Sequence, residues 1–324
     1  MLYIDGLECS LYDREVFQEL RAGHLACITP TLAFWENATE TMDEIGRWRD
    51  LERENADLIR IARTADDIEQ AHREGRTAVL LGTQNSSPIE DRIRFLELFH
   101  DMGLRVMQLT YNNQNAIGGS CYEPEDSGLS RFGREVVHEM NRLGMIVDLS
   151  HVGERTGLDA IRVSERPVAV THANPRSLYE HPRNKGDELL KALAAGGGML
   201  GLATYRNISG PWAGSREEWC DMVRRTVDLI GIDHVGIGTD LSRKTGEPEL
   251  QWMRKGRWTR TEQRGAALSG TPGKAPAITW MESTADFPAL AQCLSEQAGF
   301  DEDEVAKIMG ANWLRFYRQV LKPA

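Results

Sequence analysis

Five cysteines in 324 residues are too few and too scattered to staple a fold. Cys9, Cys27, Cys121, Cys220 and Cys293 form an odd set without a CxxC pair, which argues against both a disulfide framework and a zinc knuckle. No apolar run of about 18 residues occurs, so no membrane-spanning helix is expected, and no basic leader precedes the first apolar run. Positive charge is also in deficit, with 38 Lys and Arg against 49 Asp and Glu and a net charge of −11. Phosphate binding requires a basic face, so a nucleic-acid partner is not expected. No glycine-rich fingerprint follows the first apolar run, which disfavours a dinucleotide fold. Free thiols and a missing leader together point to a soluble protein of the reducing cytoplasm.

Three apolar runs end on groups able to do chemistry. Gly144-Met-Ile-Val-Asp-Leu-Ser-His151 turns polar at its close, Pro167-Val-Ala-Val-Thr-His172 repeats the pattern, and His234-Val-Gly-Ile-Gly-Thr-Asp240 ends on a carboxylate. Strands buried on both faces read as such runs. Eight are expected, over 2–9, 24–32, 77–84, 105–111, 145–151, 168–172, 198–205 and 235–240. Segments with helical spacing alternate with them, among them 89–102, 133–143 and 219–230. Eight strand–helix units predict an α/β fold, a (β/α)8 TIM barrel forming one domain over 1–324. In such a barrel the chemistry gathers at the C-terminal ends of the strands. The stretch 243–280 breaks the rhythm, with Pro248, Pro272, Pro276, Trp252, Trp258, Trp280 and a local excess of arginine. It reads as a long irregular insertion after the eighth strand, either a lid over the mouth or an oligomer contact. The acidic start of 301–317 suits a helix N-terminus.

Two imidazoles suit a borderline divalent ion such as zinc, which leaves room for water and acidifies it. The residue types alone therefore assign His151 and His172 to a metal and Asp240 to proton transfer. They leave open the alternative that the histidines are satisfied core residues.

Longer words narrow the reading. Gly128-Leu-Ser-Arg-Phe-Gly133, the stretch Val136 to Val152, His181-Pro-Arg-Asn184, Gly196-Gly-Gly-Met199, Asp233 to Asp240 and Gly310-Ala-Asn-Trp-Leu-Arg315 together resemble the membrane (renal) dipeptidase family. The resemblance runs over nearly the whole chain. It implies a distorted barrel of the metal-dependent amidohydrolase type, a homodimer, and hydrolysis of dipeptides at a two-zinc site. By the same resemblance, His151 and His172 hold one zinc, Asp240 is the acidic residue of the eighth strand, and Arg183 grips a substrate carboxylate. Tyr205 assists substrate binding, and Tyr111 stands where a histidine steadies the tetrahedral intermediate.

The match departs at the other zinc. The family word Asp-Gly-His-x-Asp is here Asp5-Gly-Leu-Glu-Cys9, so Leu7 and Cys9 replace both ligands. At the third strand Gly82-Thr-Gln84 places an amide where a bridging glutamate is expected, and an amide brings no charge to hold two dications together. Leu7 reads as packing, Cys9 as a soft ligand or a buried thiol, Glu8 as facing outside the barrel. Gln84 reads as a substrate hydrogen-bonder or a filler of vacated polar space. The resulting expectation is a hydrolase of an amide in a dipeptide or other small carboxylate-bearing molecule, with one divalent metal. Two rivals remain: a small-molecule binding protein without catalysis, and a metal-independent enzyme using Cys9 or Glu8 with Tyr111.

Overall fold

The computed structural model describes residues 1–256, 260 and 278–322. Ten parallel strands form one sheet: β1 (Tyr3–Glu8), β2 (Leu25–Pro30), β3 (Ile59–Ala62), β4 (Thr77–Leu80), β5 (Gly82–Thr83), β6 (Val106–Gln108), β7 (Ile146–Asp148), β8 (Ala169–Ala173), β9 (Met199–Leu202) and β10 (Val235–Ile237). Their order is β3-β4-β2-β1-β10-β9-β8-β7-β6-β5. Only Leu81 separates β4 from β5, so the two are one bent staves-length of chain, and the sheet closes through it into an eight-stranded barrel. Each strand is preceded or followed by helices on the outside, as expected for buried apolar runs.

Two expectations need correction. A ninth strand, β3, lies alongside the first half of the bent stave and pairs Ile59 with Thr77 through Ala62 with Leu80. Its run is four residues long and carries the half-buried Arg60, so it lacks the apolar signature of the barrel strands. The stretch after the eighth barrel strand is not irregular throughout, because Glu247–Lys255 is a helix. Gly246 caps it, Pro248 sits in its first turn, and acidic Glu247 and Glu249 oppose basic Arg254 and Lys255 along its dipole. The expected insertion at 257–259 and 261–277, including Trp258, Pro272 and Pro276, lies outside the described residues.

The barrel interior is filled from below. Ile4, Cys27, Leu80, Val106, Ile146 and Met199 pack with Trp313, Phe316 and Tyr317 of the helix Asn312–Val320. Trp313 is fully buried, and its indole donates to the Ile237 carbonyl at 2.8 Å. Higher up, the pairing of β8 with β9 slips between Val170 and Ala173, which turns the Thr171 carbonyl inward. A methyl group on Gly201 or Gly238 would lie 2.0 or 1.8 Å from that oxygen, so only glycine admits the bulge. The bulge aims His172.

Glu8 is fully buried at the end of β1. Tyr12 donates to its Oε2 at 3.2 Å. Burial first, then the Asp5 carboxylate, push its pKa well above the ordinary value. A carboxyl whose pKa is raised on folding holds a proton in the native state that the unfolded chain has released, so stability falls as pH rises from the ordinary glutamate value. Glu8→Gln should therefore unfold at higher denaturant than the parent at pH 8, the gap closing as pH falls toward 4.5. Urea titrations at both pH values check this.

Candidate active site

His151 follows β7, His172 lies in β8 and Asp240 follows β10, so the three meet at the C-terminal rim. The two imidazoles are buried, and their Nε2 atoms stand 3.1 Å apart. Burial holds both rings neutral, reinforced by the nearby Arg183 and Lys185 cations.

The tautomers follow from the partners behind the rings. Asp148 on β7 accepts four hydrogen bonds: from Ser150 N–H at 3.0 Å and its hydroxyl at 2.5 Å, from Thr171 N–H at 3.0 Å, and from the Thr171 hydroxyl at 2.7 Å. With its proton committed to Asp148, Thr171 Oγ1 accepts from His172 Nδ1 at 2.9 Å. His151 Nδ1 likewise faces the Asn112 side-chain oxygen at 2.7 Å. Both Nδ1 atoms therefore donate, and both Nε2 atoms present bare lone pairs to each other. Two facing lone pairs repel unless a cation lies between them. Tetrahedral zinc with Zn–N bonds of about 2.05 Å separates two ring nitrogens by about 3.3 Å, close to the spacing here. The donor pair fits one borderline divalent ion, and the acceptors behind it are the outer shell such ligands use.

A second ion is not matched. Leu7 is buried packing, Cys9 gives its thiol to Asp240 Oδ1 at 3.6 Å, and the Gln84 amide donates to Thr31 Oγ1 at 2.9 Å. Among the described residues, no group of three or more histidine, cysteine or acidic side chains converges as a metal site.

Asp240 adopts a left-handed backbone (φ 59°), unusual for a residue other than glycine, with its N–H donated to Leu7 at 3.1 Å. Burial pushes its pKa up to about 6, against the pull of Arg183 and of the Cys9 thiol. The carboxylate lines a narrow cavity of about 80 Å³ together with His151, Arg183, Tyr111, Tyr205 and Gln84. The expected site residues are thus neighbours; His172 lies one layer below, touching His151. Tyr111 packs its ring on His151 with centroids 4.3 Å apart, and burial holds its phenol protonated. Tyr205 sits at the head of a short helix rather than in a strand, and its oxygen accepts from Asn207 at 2.7 Å.

Arg183 is buried, not a surface residue, and two of its nitrogens already donate to the Ser150 and His172 carbonyls. It braces the histidine loops while lining the cavity. The helix Glu247–Lys255 covers the mouth, with Leu250, Met253 and Arg254 on the cavity wall. Glu36 fastens that cover by accepting from the Trp252 indole at 2.6 Å, and Trp35 donates to the Met253 carbonyl at 3.3 Å.

Sequence reasoning passed over Asn112, Thr171, Asp148 and Lys185. Lys185 is buried, donates to the Val152 carbonyl at 2.7 Å, and has a pKa lowered to about 8, first by burial and then by Arg183. Asp148 was in view inside an apolar run, where an acid needs a partner; Asn112 gave no signal beyond its place after a strand.

Thr171→Val keeps the shape and removes the relay. It leaves Asp148 Oδ2 and His172 Nδ1 short of a partner, at a cost of about 1–3 kcal/mol. Nitrogen-15 spectra of His172 should then show a mixture of tautomers where the parent shows the Nδ1–H form alone.

Comparison with known proteins gives the family and the fold. The model of the membrane dipeptidase family (peptidase family M19) matches residues 10–251. Dipeptidase tcpJ of Claviceps purpurea is 30% identical over 269 residues, 82% of this chain and 56% of that protein. Dipeptidase verJ of Clonostachys rogersoniana is 34% identical over 210 residues, 64% of this chain and 54% of that protein. The chain thus spans little more than half the length of these relatives. A crystal structure of an amidohydrolase from Pseudomonas aeruginosa superposes with a TM-score of 0.91 at 35% identity, covering 99% of this chain and 96% of the other. A metallopeptidase from Rhodobacter sphaeroides, solved with a phosphinate mimic of L-Ala-D-Ala, shares the fold at a TM-score of 0.80 and 20% identity, covering 99% of each chain. With the family model matching well over half its length, the chain belongs to the membrane dipeptidase family.

Proposed function

We propose that the chain hydrolyses an amide bond in a dipeptide or other small molecule bearing a carboxylate, at a site that holds one divalent ion. The observation that carries this reading is the pair of Nε2 atoms, 3.1 Å apart at the barrel mouth with an oxygen behind each Nδ1, beside a carboxylate whose pKa is pushed to about 6. His151 and His172 would hold the ion, which when bound supplies Lewis-acid polarisation of the carbonyl and a more acidic water.

The protein's own groups divide the remaining work. Asp240 takes a proton from the attacking water as its oxygen bonds to the carbonyl carbon, then delivers that proton to the amine as the C–N bond breaks. Tyr111 donates its phenol proton as a hydrogen bond to the oxyanion of the tetrahedral intermediate. Arg183 and Tyr205 orient the carboxylate end, Arg183 through N–H groups beyond the two that brace the histidine loops. Gln84 contributes a neutral hydrogen-bonding wall. The covering helix keeps bulk water from the reaction. The same reading takes the ion as zinc, the assembly as a homodimer and the compartment as the cytoplasm.

A base that titrates near 6 must be ionised to act, so turnover should rise with pH through about 6 and level above it. Asp240→Asn should lower kcat by roughly 10²–10⁴-fold and flatten that acid limb while changing ligand affinity little. Assays on a panel of dipeptides and cyclic amides from pH 5 to 8 test both; unchanged turnover in the variant would remove Asp240 from the mechanism.

A further inference from the structure

The catalytic cavity, at about 80 Å³, is far below the roughly 300–1,000 Å³ of a typical small-molecule site. Beside it lies a groove of about 700 Å³, which does fall in that range. Tyr122 lines both, and Trp35 on the groove side stands against Tyr111 on the cavity side with ring centroids 5.3 Å apart. The two spaces thus meet at an aromatic rim.

Their chemistries differ. The cavity presents Arg183 and the covering helix's Arg254, whereas among the described residues no lysine or arginine lines the groove. Side-chain amides line it instead, from Asn85, Asn113, Gln114 and Asn115, with Glu123 at the rim. Asn115 is itself committed to the wall, donating to the Leu109 carbonyl at 2.9 Å and to Ser86 Oγ at 3.0 Å, so the groove floor is braced. Gln114 is exposed, held by a backbone N–H to Glu123 Oε1 at 2.6 Å. Asn85 is committed likewise, donating to the Phe34 carbonyl at 2.7 Å and accepting from Ser86 N–H at 2.9 Å, so Asn113 and Gln114 are the amides that face a ligand; a carboxamide both donates and accepts, as a peptide group does. The groove loop also begins at Asn112, the residue behind His151.

We infer that the groove is a subsite for the amino-terminal extension of the substrate, so that the chain releases the carboxy-terminal residue from peptides longer than two residues. This rests on the hydrolase reading above and names its substrate class. The carboxylate end faces Arg183, the scissile amide faces Asp240, and the residues on its amino side cross the Tyr122 rim and lie along the amides. The reaction is unchanged: one water adds across the C–N bond, giving a shortened peptide and a free amino acid.

The test compares Ala-Ala, Ala-Ala-Ala and Ala-Ala-Ala-Ala with the full chain loaded with zinc. Two or three net hydrogen bonds along the groove make kcat/KM for the tripeptide roughly tenfold or more above that for the dipeptide. Gln114→Ala and Glu123→Ala should each narrow that ratio by severalfold. Cleavage of Ala-Ala as fast as, or faster than, the longer peptides would overturn the inference while leaving the hydrolase reading intact, and so would a ratio that neither variant changes. If no peptide is cleaved, the hydrolase reading fails, and calorimetry decides the groove separately. Tighter binding of the tripeptide, weakened by Gln114→Ala, upholds the subsite, and equal binding of all three peptides overturns it.

Discussion

The site depends on one buried carboxylate that lies behind the cavity wall rather than on it. Asp148 accepts four hydrogen bonds across two neighbouring strands, and in doing so it commits the Thr171 hydroxyl, fixes the His172 tautomer and pins the bulge that aims that ring. Burial raises its pKa, and the four donors oppose that rise. The same arrangement recurs on the opposite wall, where Asp5 accepts from both the N–H and the hydroxyl of Thr239, two residues beyond its strand partner Ile237. There the clamp braces the approach to Asp240 rather than a ligand. Pairs of strands are thus locked at their C-terminal ends before any cofactor or substrate contributes.

The departures expected at the metal ligands, Leu7, Cys9 and Gln84, lie on one side of the mouth, whereas Tyr111 lies on the other, packed on His151. The Asp148 side keeps two imidazoles with acceptors behind both rings. The Asp5 side has a buried leucine, a thiol turned to Asp240 and an amide turned to Thr31. Two dications need anionic ligands between them to offset their repulsion. Gln84 supplies no negative charge, its amide donating to Thr31 Oγ1 at 2.9 Å. The covering helix is tied through Glu36 to the loop after β2.

The barrel was legible because burial on both faces leaves an apolar run with a polar terminus, and each of the three chemical strand ends carried that mark. β3 was not, since a strand beside the barrel needs only one or two apolar positions. The covering helix escaped notice for a related reason: it faces a small cavity and a loop, so it has no apolar period, although its caps and charge order were present. His151, His172 and Asp240 could be grouped by their place at strand ends. Asn112 could not, because its contact with His151 depends on a left-handed backbone (φ 59°) that no spacing encodes. Arg183 was visible as a cation in a recognisable word; that its guanidinium also braces the Ser150 and His172 carbonyls is a property of the folded loops alone.

The central claim is that two unprotonated Nε2 atoms form the edge of a single metal site. Metal analysis by inductively coupled plasma mass spectrometry, on protein purified without chelator and supplied with zinc, tests it most directly. The account predicts one ion per chain, lost in His151→Ala and in His172→Ala alike. Two ions per chain, or none, would contradict it.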